Sequence, residues 1–390
     1  MVVWWCLCLA MRRIPQRRRL WYNCRHVLVR VEAHCVSYSL TLGPFHPAWR
    51  GPVRFIMDLE GEIITNIDQH TGMNDRGCAE RITRIPLSQS MALVPRVCGT
   101  CGHAHMLAFC QAIEMLNAID VPMRARLVRM MACELERASM HLAGAATVCT
   151  TIGVEHHSRA LTALQGIVVA ILHELAPQRD CIIMPGGLSY NPGNAALSSV
   201  QRTIGQCGKQ LYDTIDQIID DRGVLGRTVD VGRLTHEAVS QLDIGGIIAR
   251  AAGVKRDLRF DIPYAAYERL DVQRVVQEGG DVYARLVVML LETNEGIKMV
   301  EQCGRLLKTG PYEGNLPVLR EGVASGSVEG PRGAITYIIN SDGIRITRCE
   351  IHVQRQLDRL LTRTLLLNTQ LDDFLPIVAS TDTCTACAER

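Results

Sequence analysis

Hydrophobic and polar residues alternate in two short stretches, one near each end of the chain. Residues 53–67, VRFIMDLEGEIITNI, carry apolar side chains at alternate positions and turn at Glu60-Gly61, which predicts a β-hairpin. A second hairpin is predicted from AITYIIN, a turn at residues 341–343, and IRITRCEIHV. Small antiparallel β-hairpins therefore flank the middle of the chain.

Between the hairpins the apolar period changes to three and four residues, which is typical of amphipathic helices. The spacing predicts helices around 127–142, 160–175, 200–218 and 282–300, and one more from Val353 to about Leu367. Breaks are predicted at 184–193, across the polar stretch 221–260 and through the glycine-rich stretch 309–333. The whole pattern predicts a mainly α (α+β) fold, with a central long-helix bundle and small hairpins near both ends.

The first 35 residues differ from the rest. An apolar start, MVVWWCLCLA, precedes an arginine-rich stretch, whereas a secretion signal has its positive charge first. We interpret residues 1–35 as an atypical basic and apolar N-terminal extension that comes from an over-long start, with a transit peptide as the alternative. Ordered structure is then expected from near Val36, and residues 36–390 form a single domain.

Composition narrows the function classes. The 42 basic residues nearly match the 40 acidic ones and aromatic residues are only 5%, so no nucleic-acid partner is expected. The chain has 16 cysteines but is long and lacks a convincing secretion signal, which indicates reduced thiols in the cytoplasm. Most of these cysteines, such as Cys110, Cys133, Cys149 and Cys207, lie in apolar or helical surroundings and are predicted to be core residues.

Two C-x-x-C pairs stand apart from the other cysteines. Cys98 and Cys101 lie in RVCGTCGHAH, and Cys384 and Cys387 lie in DTCTACAER. Four thiolates favour zinc, copper(I), or iron and nickel. The pairs of a zinc ribbon are roughly 15–20 residues apart, whereas here most of the chain separates them, so the pattern predicts one metal site that joins the two ends of a large fold. His105 stands where it could donate a hydrogen bond to a metal-bound sulfur or diatomic ligand.

These motifs carry a family resemblance. RVCGTCGHAH and DTCTACAER resemble the two cysteine motifs of the [NiFe]-hydrogenase large (catalytic) subunit. Four further segments resemble, in the same order, motifs shared by group 4 energy-converting hydrogenases and the 49-kDa subunit of respiratory complex I: 43–62, 74–82, 134–142 and 328–343. The complex I subunit does not keep the four cysteines, so their presence favours a hydrogenase of the CO-induced or formate-hydrogenlyase type.

The resemblance implies a Ni–Fe centre whose iron carries CO and cyanide. Cys98 and Cys384 would be terminal nickel ligands, while Cys101 and Cys387 would bridge nickel to iron. Cys384 would also take up the proton from hydrogen cleavage. His105 would contact the cofactor, and a magnesium ion near the C-terminus is a further candidate.

The resemblance also assigns two catalytic side chains outside the cysteine pairs. Arg332 in GPRG would lie over the metals, where its guanidinium polarises hydrogen or holds the diatomic ligands. Glu80 in NDRGCAERI would pass protons to the thiolate, although one residue more separates it from the preceding glycine than in the family, and Asp75 could substitute. His156 and His157 have no clear partner ligands and are assigned no role. Thr383 replaces the usual proline before Cys384.

The predicted function is the catalytic subunit of a membrane-associated energy-converting [NiFe]-hydrogenase, which interconverts protons and hydrogen. Its implied partners are a small subunit carrying a [4Fe-4S] cluster, complex I-like membrane and ferredoxin-like subunits, and maturation factors. The chain is expected in the cytoplasm, bound peripherally to the inner side of the cell membrane. A complex I-like 49-kDa quinone-oxidoreductase subunit without a Ni–Fe centre is the alternative, and a four-cysteine structural zinc protein is the third class.

Overall fold

The computed structural model describes residues 21–24, 27–31, 37–177, 181–354 and 357–389. Within these ranges the strands are β1 (Trp21–Cys24), β2 (Val27–Val31), β3 (Ser37–Leu42), β4 (Arg54–Glu60), β5 (Ile63–His70), β6 (Ile183–Met184), β7 (Gly187–Leu188), β8 (Glu321–Gly330), β9 (Gly333–Asp342) and β10 (Ile346–Val353). The helices are α1 (Cys78–Arg84), α2 (Leu87–Leu93), α3 (Gly102–Asn117), α4 (Met123–Thr151), α5 (Glu155–Leu175), α6 (Asn194–Ile219), α7 (Arg222–Thr228), α8 (His236–Gln241), α9 (Gly246–Ala251), α10 (Leu258–Asp261), α11 (Val282–Leu306), α12 (Arg359–Leu366), α13 (Leu371–Ser380) and α14 (Thr385–Ala388).

The first sheet contains the predicted N-terminal hairpin. Strands β1 to β5 pair antiparallel in chain order, and β4 and β5 form the hairpin, with Met57 opposite Ile67. Phe55, Met57 and Leu59 are buried because they point to the core face of β4. In the described part of the chain, β1 and β2 precede the start expected near Val36 and continue this sheet. Residues 1–20 lie outside the described residues, so the over-long start stays a prediction.

The second sheet has the order β10-β9-β8 and contains the predicted C-terminal hairpin. Strand β8 was missed, because its glycines were interpreted as part of a break. It pairs with β9 along its whole length, from Glu321 opposite Asp342 to Gly330 opposite Gly333. A Cβ atom on Gly326 would lie 2.2 Å from the carbonyl oxygen of Ala108, so this glycine lets β8 pack closely on α3.

Four long helices, α4, α5, α6 and α11, form the centre of the molecule. Helix α4 packs against α5 and α11, and α6 packs against the same two. Helix α6 buries a single stripe that includes Val200, Ile204 and Leu211, as its period predicts. Helix α4 is buried over most of its 29 residues because other elements surround it. The predicted long-helix bundle is therefore confirmed.

Two expectations for the connecting segments were wrong. The stretch 221–260 is not irregular but contains the short helices α7 to α10, and capping side chains begin three of them: Asp221, Thr235 and Asp257. The helix expected from Val353 begins later, because β10 keeps pairing with β9 up to Val353 and α12 covers Arg359–Leu366. None of the helices in the described ranges combines the length and the apolar content needed to cross a membrane.

Candidate metal centre

The thiols of the two C-x-x-C pairs lie together in the interior. The Sγ atoms of Cys98 and Cys384 are 3.7 Å apart, and those of Cys101 and Cys387 are 3.0 Å apart. None of the four residues is more than 3% exposed. Both separations exceed the roughly 2.05 Å of a disulfide bond, so the four side chains are thiols. The structure therefore brings together the four residues that the motifs singled out.

The first cysteine pair is held at the start of α3. Cys101 is the N-cap residue of this helix, and the carboxylate of Glu136 on α4 accepts hydrogen bonds from the backbone N–H groups of His103 (2.9 Å) and Ala104 (3.1 Å). These N–H groups have no acceptor within the helix, so Glu136 satisfies them. The side chain of Glu136 thus fixes the helix that carries the pair.

A glycine allows the turn before α3 to close. A Cβ atom on Gly102 would lie 2.6 Å from the carbonyl oxygen of Pro95, so only a glycine fits at this close approach. Neither Gly99 nor Gly102 adopts a positive φ angle. Gly102 is therefore required because a side chain would collide with the preceding turn, and not because of its backbone angles.

The second cysteine pair is clamped by the segment before β4. Arg50 forms a parallel bridge with Cys384, in which its N–H donates to the carbonyl of Thr383 (3.4 Å) and its carbonyl accepts from the N–H of Thr385 (3.1 Å). The Arg50 Nε also donates to Asp382 Oδ1 at 3.0 Å. Arg50 and Cys384 lie far apart in the sequence, so these contacts join the N-terminal part of the domain to the segment that carries the second cysteine pair.

Thr383 stabilises this segment through its hydroxyl. Its Oγ1 accepts a hydrogen bond from the N–H of Leu357 (3.3 Å) and lies 3.0 Å from Thr381 Oγ1. A proline stiffens a backbone by fixing φ, whereas Thr383 holds the chain before Cys384 by side-chain contacts.

His105 joins the thiols to the second sheet. Its Nε2 lies 3.5 Å from Cys387 Sγ, and its Nδ1 lies 3.0 Å from the hydroxyl of Tyr337 on β9. The ligand atoms of Cys98, Cys101, His105 and Cys387 all lie within 4.8 Å of one another. This buried Cys/His cluster has the spacing and the donor atoms of a site for a soft metal ion.

Arg332 lies beside the thiols, at the end of the β8–β9 turn. Its Nε donates to the carbonyl of Asp382 (2.5 Å) and its Nη1 donates to Thr100 Oγ1 (3.0 Å). Its Nη2 is 3.0 Å from Asp382 Oδ2, an ion-pair contact without hydrogen-bond geometry, so within the described residues Nη2 has no hydrogen-bond acceptor. A buried donor of this kind is available to a group bound between the arginine and the thiols.

Burial and charge act in opposite directions on Arg332. Burial lowers the pKa of the guanidinium, but Asp382 and the thiols of Cys384 and Cys101 outweigh it and raise that pKa above its ordinary value. The side chain therefore stays a cation, although it is only 8% exposed.

The thiols differ in their affinity for protons. Cys101 acts to raise the pKa of Cys98, but hydrogen bonds from Cys384 and Cys387 bring it down to about 7. Hydrogen bonds from Cys387 and Cys98 lower the pKa of Cys101 to about 6, whereas the hydrogen bond with Cys101 raises the pKa of Cys387. Cys98 and Cys101 are thus easier to convert into thiolate ligands than Cys387.

Glu80 does not reach the thiols in the structure. It lies in the first turn of α1, where its carboxylate pairs with Arg84, and its side chain is 66% exposed. Asp75, the substitute considered from the sequence, accepts a hydrogen bond from the N–H of Gly77 at 2.9 Å. The structure thus places neither carboxylate in the thiol cluster, because the extra residue after Gly77 falls at the beginning of α1.

A network of buried charges lies beside the site, between α4 and α11. Glu134 on α4 pairs with Arg137 (3.2 Å) and Arg259 (3.3 Å). Arg250 pairs with Glu292 on α11 and with Glu329 (2.8 Å). All these side chains are at most 3% exposed. We call these six residues the ion network.

Charge compensation keeps Glu292 ionised. Burial alone would raise the pKa of this carboxyl, but Arg250 and a hydrogen bond from His141 (3.1 Å) hold it well below its ordinary value. His141 is fully buried in this contact. Its Nε2 is therefore paired, whereas its buried Nδ1 has no hydrogen-bond partner among the described residues.

Four residues of the site were not singled out from the sequence: Thr100, Glu136, Tyr337 and Asp382. Thr100 and Asp382 stand inside the cysteine motifs, so their position was a usable signal. Tyr337 is at a buried position of β9 and Glu136 lies within an amphipathic helix. Nothing in the local sequence distinguishes these two from ordinary core and surface residues.

The comparisons with known proteins agree with this geometry. Residues 169–321 match the family described as respiratory-chain NADH dehydrogenase, 49 Kd subunit. The chain is 30% identical over 288 residues to an NADH-quinone oxidoreductase subunit of Sinorhizobium medicae, covering 72% of this chain and 70% of that protein. The chain belongs to the 49-kDa subunit family.

Within the 49-kDa subunit family, the predicted hydrogenase relationship is confirmed by a second relative. A carbon monoxide-induced hydrogenase of Rhodospirillum rubrum is 28% identical over 368 residues, covering 91% of this chain and 99% of that protein. The fold is also that of a chain in the structure of the membrane-bound sulfane sulfur reductase, an archaeal respiratory membrane complex, with a TM-score of 0.84, 23% identity and coverage of 91% and 98%. The chain is therefore an oxidoreductase-family protein of large-subunit-like fold.

Proposed function

We propose that this chain is the catalytic subunit of a membrane-associated, energy-converting [NiFe]-hydrogenase that catalyses 2H⁺ + 2e⁻ ⇌ H₂. The observation that carries the proposal is the convergence of all four cysteine thiols, with Sγ separations of 3.7 and 3.0 Å, in a chain that matches a carbon monoxide-induced hydrogenase over nearly its full length. Quinone reduction alone gives no chemical reason for four thiols in one buried site.

The residues present fit a Ni–Fe centre. Two sulfurs that each lie about 2.3 Å from one metal ion in tetrahedral geometry are roughly 3.8 Å apart, which is close to the 3.7 Å between Cys98 and Cys384. Cys101 and Cys387, whose Sγ atoms are 3.0 Å apart, would hold the centre together with the first two thiols. The guanidinium of Arg332 donates through Nη1 to Thr100, which itself contacts Cys98, and its Nη2 has no hydrogen-bond acceptor among the described residues, as expected beside a bound acceptor such as cyanide.

When bound, the Ni–Fe centre supplies the site at which hydrogen is split or formed. Cys98, Cys101, Cys384 and Cys387 would hold it, and the Cys384 Sγ would accept a proton on cleavage and return one when hydrogen forms. Arg332 keeps its charge in a water-poor site and stabilises negative charge there. Its guanidinium is oriented by Asp382 and Thr100, so its direction is fixed before the reaction.

His105 would orient Cys387 as a ligand of the centre. Its Nδ1 contact with Tyr337 fixes the ring so that Nε2 faces Cys387. Glu80 is proposed from the family motif as the carrier that exchanges protons with Cys384. A magnesium ion near the C-terminus is proposed on the same ground.

The partners are proposed from the relatives. The solved neighbour is part of a respiratory membrane complex, and the two relatives are a hydrogenase and a subunit of NADH-quinone oxidoreductase. We propose a small subunit with a [4Fe-4S] cluster as electron donor, complex I-like membrane and ferredoxin-like subunits, and maturation factors that load the metals. The chain would sit peripherally on the inner side of the cell membrane.

A complex I-like quinone-oxidoreductase subunit is the second candidate, because the family relationship rests on an NADH-quinone oxidoreductase subunit. Metal analysis of the matured full chain in its complex separates the two. Nickel and iron near one each per chain, with infrared bands of metal-bound CO and cyanide, are expected for the hydrogenase. Matured protein without nickel and without these bands would overturn the proposal, and zinc as the sole metal would indicate a structural site.

A further inference from the structure

A second group of metal-ligating side chains lies at one end of the helix bundle. His156 and His157 occupy the first turn of α5, and Asp221 immediately precedes α7. Their ligand atoms lie within 4.8 Å of one another. The two histidines are adjacent in the chain, but the carboxylate that completes the group comes from a segment beyond α6.

The separations within this group suit a single bound ion. His157 Nε2 is 3.1 Å and His156 Nε2 is 3.7 Å from the same atom, Asp221 Oδ2. The two imidazole rings lie against each other with their centroids 3.9 Å apart. Nitrogen and oxygen ligands about 2.0–2.1 Å from a tetrahedral zinc ion are roughly 3.3 Å from each other, so small side-chain adjustments bring all three into range.

The carboxylate is already oriented toward the histidines. Asp221 Oδ1 accepts hydrogen bonds from the N–H groups of Gly223 (2.6 Å) and Val224 (3.0 Å) at the start of α7. This cap fixes the side chain and directs Oδ2 to the two imidazoles, as second contacts do for metal-binding carboxylates.

The two histidines differ in their exposure to solvent. The side chain of His157 is 5% exposed, whereas that of His156 is 69% exposed. One ligand is therefore anchored in the fold, and the other leaves the site open to solvent. Water can complete the coordination from that side.

This group is separate from the thiol cluster in position and in chemistry. Asp382 packs against α4 at Gly144, where an added Cβ atom would lie 3.4 Å from Asp382 Oδ1. From Gly144 the helix continues for about 10 Å to its end at Thr151, and the turn to α5 comes next. The ligands are two nitrogens and one oxygen instead of four sulfurs.

We propose that His156, His157 and Asp221 bind a divalent transition-metal ion of the zinc class. Imidazole and carboxylate ligands together suit zinc and its neighbours in the series. The ion would tie the first turn of α5 to the α6–α7 junction, because it would replace the direct imidazole–carboxylate contacts with bonds to one metal and release the protons held on the coordinating nitrogens. This site involves no redox step and does not depend on the hydrogenase proposal.

The test uses the full chain and two variants that spare the fold. His156→Ala removes an exposed ligand, and Asp221→Asn keeps the helix cap while removing the charge. His173→Ala, an exposed histidine on the same helix, is the matched control. Titration of the matured protein, whose thiols already hold metal, with Zn²⁺ should show one further site in the wild type and His173→Ala that is weakened at least about tenfold in the other two variants.

Substitution with Co²⁺ distinguishes this site from the thiols. Cobalt bound to thiolates gives strong sulfur-to-metal charge-transfer absorption, which a site made of two histidines and one aspartate lacks. Zinc should also raise the melting temperature of the wild type more than that of His156→Ala. Equal zinc affinity and equal zinc-induced shifts in melting temperature for the wild type, His156→Ala and Asp221→Asn would overturn the proposal.

Discussion

The thiol cluster and the ion network are both buried in the same molecule, but they are built on opposite principles. In the proposed function the thiols give up their protons to serve as anionic ligands of a bound metal. The ion network is complete in itself, because Glu134, Glu292 and Glu329 each face an arginine. One buried polar region therefore carries the proposed chemistry, whereas the other holds helices together. Substitutions should separate these roles.

The largest expected effect is a loss of hydrogen turnover when a thiol of the cluster is replaced. Cys384→Ser should lower hydrogen turnover by at least about a thousandfold, because serine replaces a metal ligand that also exchanges protons. Hydrogen production by the matured complex measures this. Cys207→Ala changes a buried cysteine of α6 outside the cluster and should retain activity. Wild-type turnover in Cys384→Ser would contradict the proposed ligand role.

Arg332→Lys tests the charge that faces the thiols. Lysine keeps the charge but cannot donate at the same time to Asp382, Thr100 and a bound group. Turnover should fall by about a hundredfold, while nickel and iron contents stay close to those of the wild type. Unchanged turnover would remove the proposed role, and loss of the metals would make Arg332 a structural support of the site instead.

Substitutions in the ion network should lower stability and leave activity nearly unchanged, which is the opposite of the effect expected at the thiols. Glu292→Gln leaves the buried charge of Arg250 with Glu329 as its close carboxylate partner and should lower the free energy of unfolding by about 3 kcal/mol. Activity per folded molecule should change little. Denaturant unfolding followed by circular dichroism measures the loss, and Arg84→Gln at the exposed Glu80–Arg84 pair should hardly alter stability.

Acid should weaken the ion network before it weakens the rest of the core. Burial raises the pKa values of Glu292 and Glu134, but their arginine partners outweigh it and hold both below the ordinary 4.5. Their stabilising contribution is therefore present above pH 4.5 and is lost as the pH falls further.

The pH dependence of stability has the opposite sign at Glu329, because burial and Asp257 raise the pKa of this carboxyl. The contribution of Glu329 to the free energy of unfolding is present at low pH and is lost as the pH rises through that pKa. The free energy of unfolding should nevertheless fall on acidification below pH 4.5, and less steeply in Glu292→Gln. Equal slopes for the wild type and the variant would contradict this account.

The smallest effect is expected at Glu80. An exposed substitution costs about 0.5 kcal/mol or less in unfolding free energy, so Glu80→Gln should hardly alter stability, but it removes the proposed proton carrier and should lower turnover, by less than Arg332→Lys does. Unchanged turnover would contradict the proposed role and leave Glu80 as the exposed partner of Arg84. Hydrogen turnover as a function of pH distinguishes these outcomes.

The thiol cluster could be predicted from the sequence because two C-x-x-C pairs are rare and their chemistry is specific. The long helices were predicted equally well, because their apolar stripes repeat over many turns. Strand β8 was missed because its glycines were interpreted as a break. Gly326 instead permits close packing of the strand on α3, and the sequence alone does not distinguish these two uses of glycine.

The ion network could not be predicted for a different reason. Glu134 and Arg250 are residue types that usually lie at the surface, and their partners come from distant segments. The same holds for Asp221, whose relation to His156 and His157 depends on how the helices are packed. Pairings of this kind follow from the tertiary fold alone.

Helix α4 serves both buried regions, and this limits how its length can change. Glu134 points into the ion network, and Glu136, two residues later, points to the start of α3. Each residue added to a helix rotates all later residues by about 100°, so a single insertion or deletion before Glu134 would turn both carboxylates away from their partners. Many side chains of α4 can therefore change in evolution, but the number of residues between the start of the helix and the two carboxylates cannot.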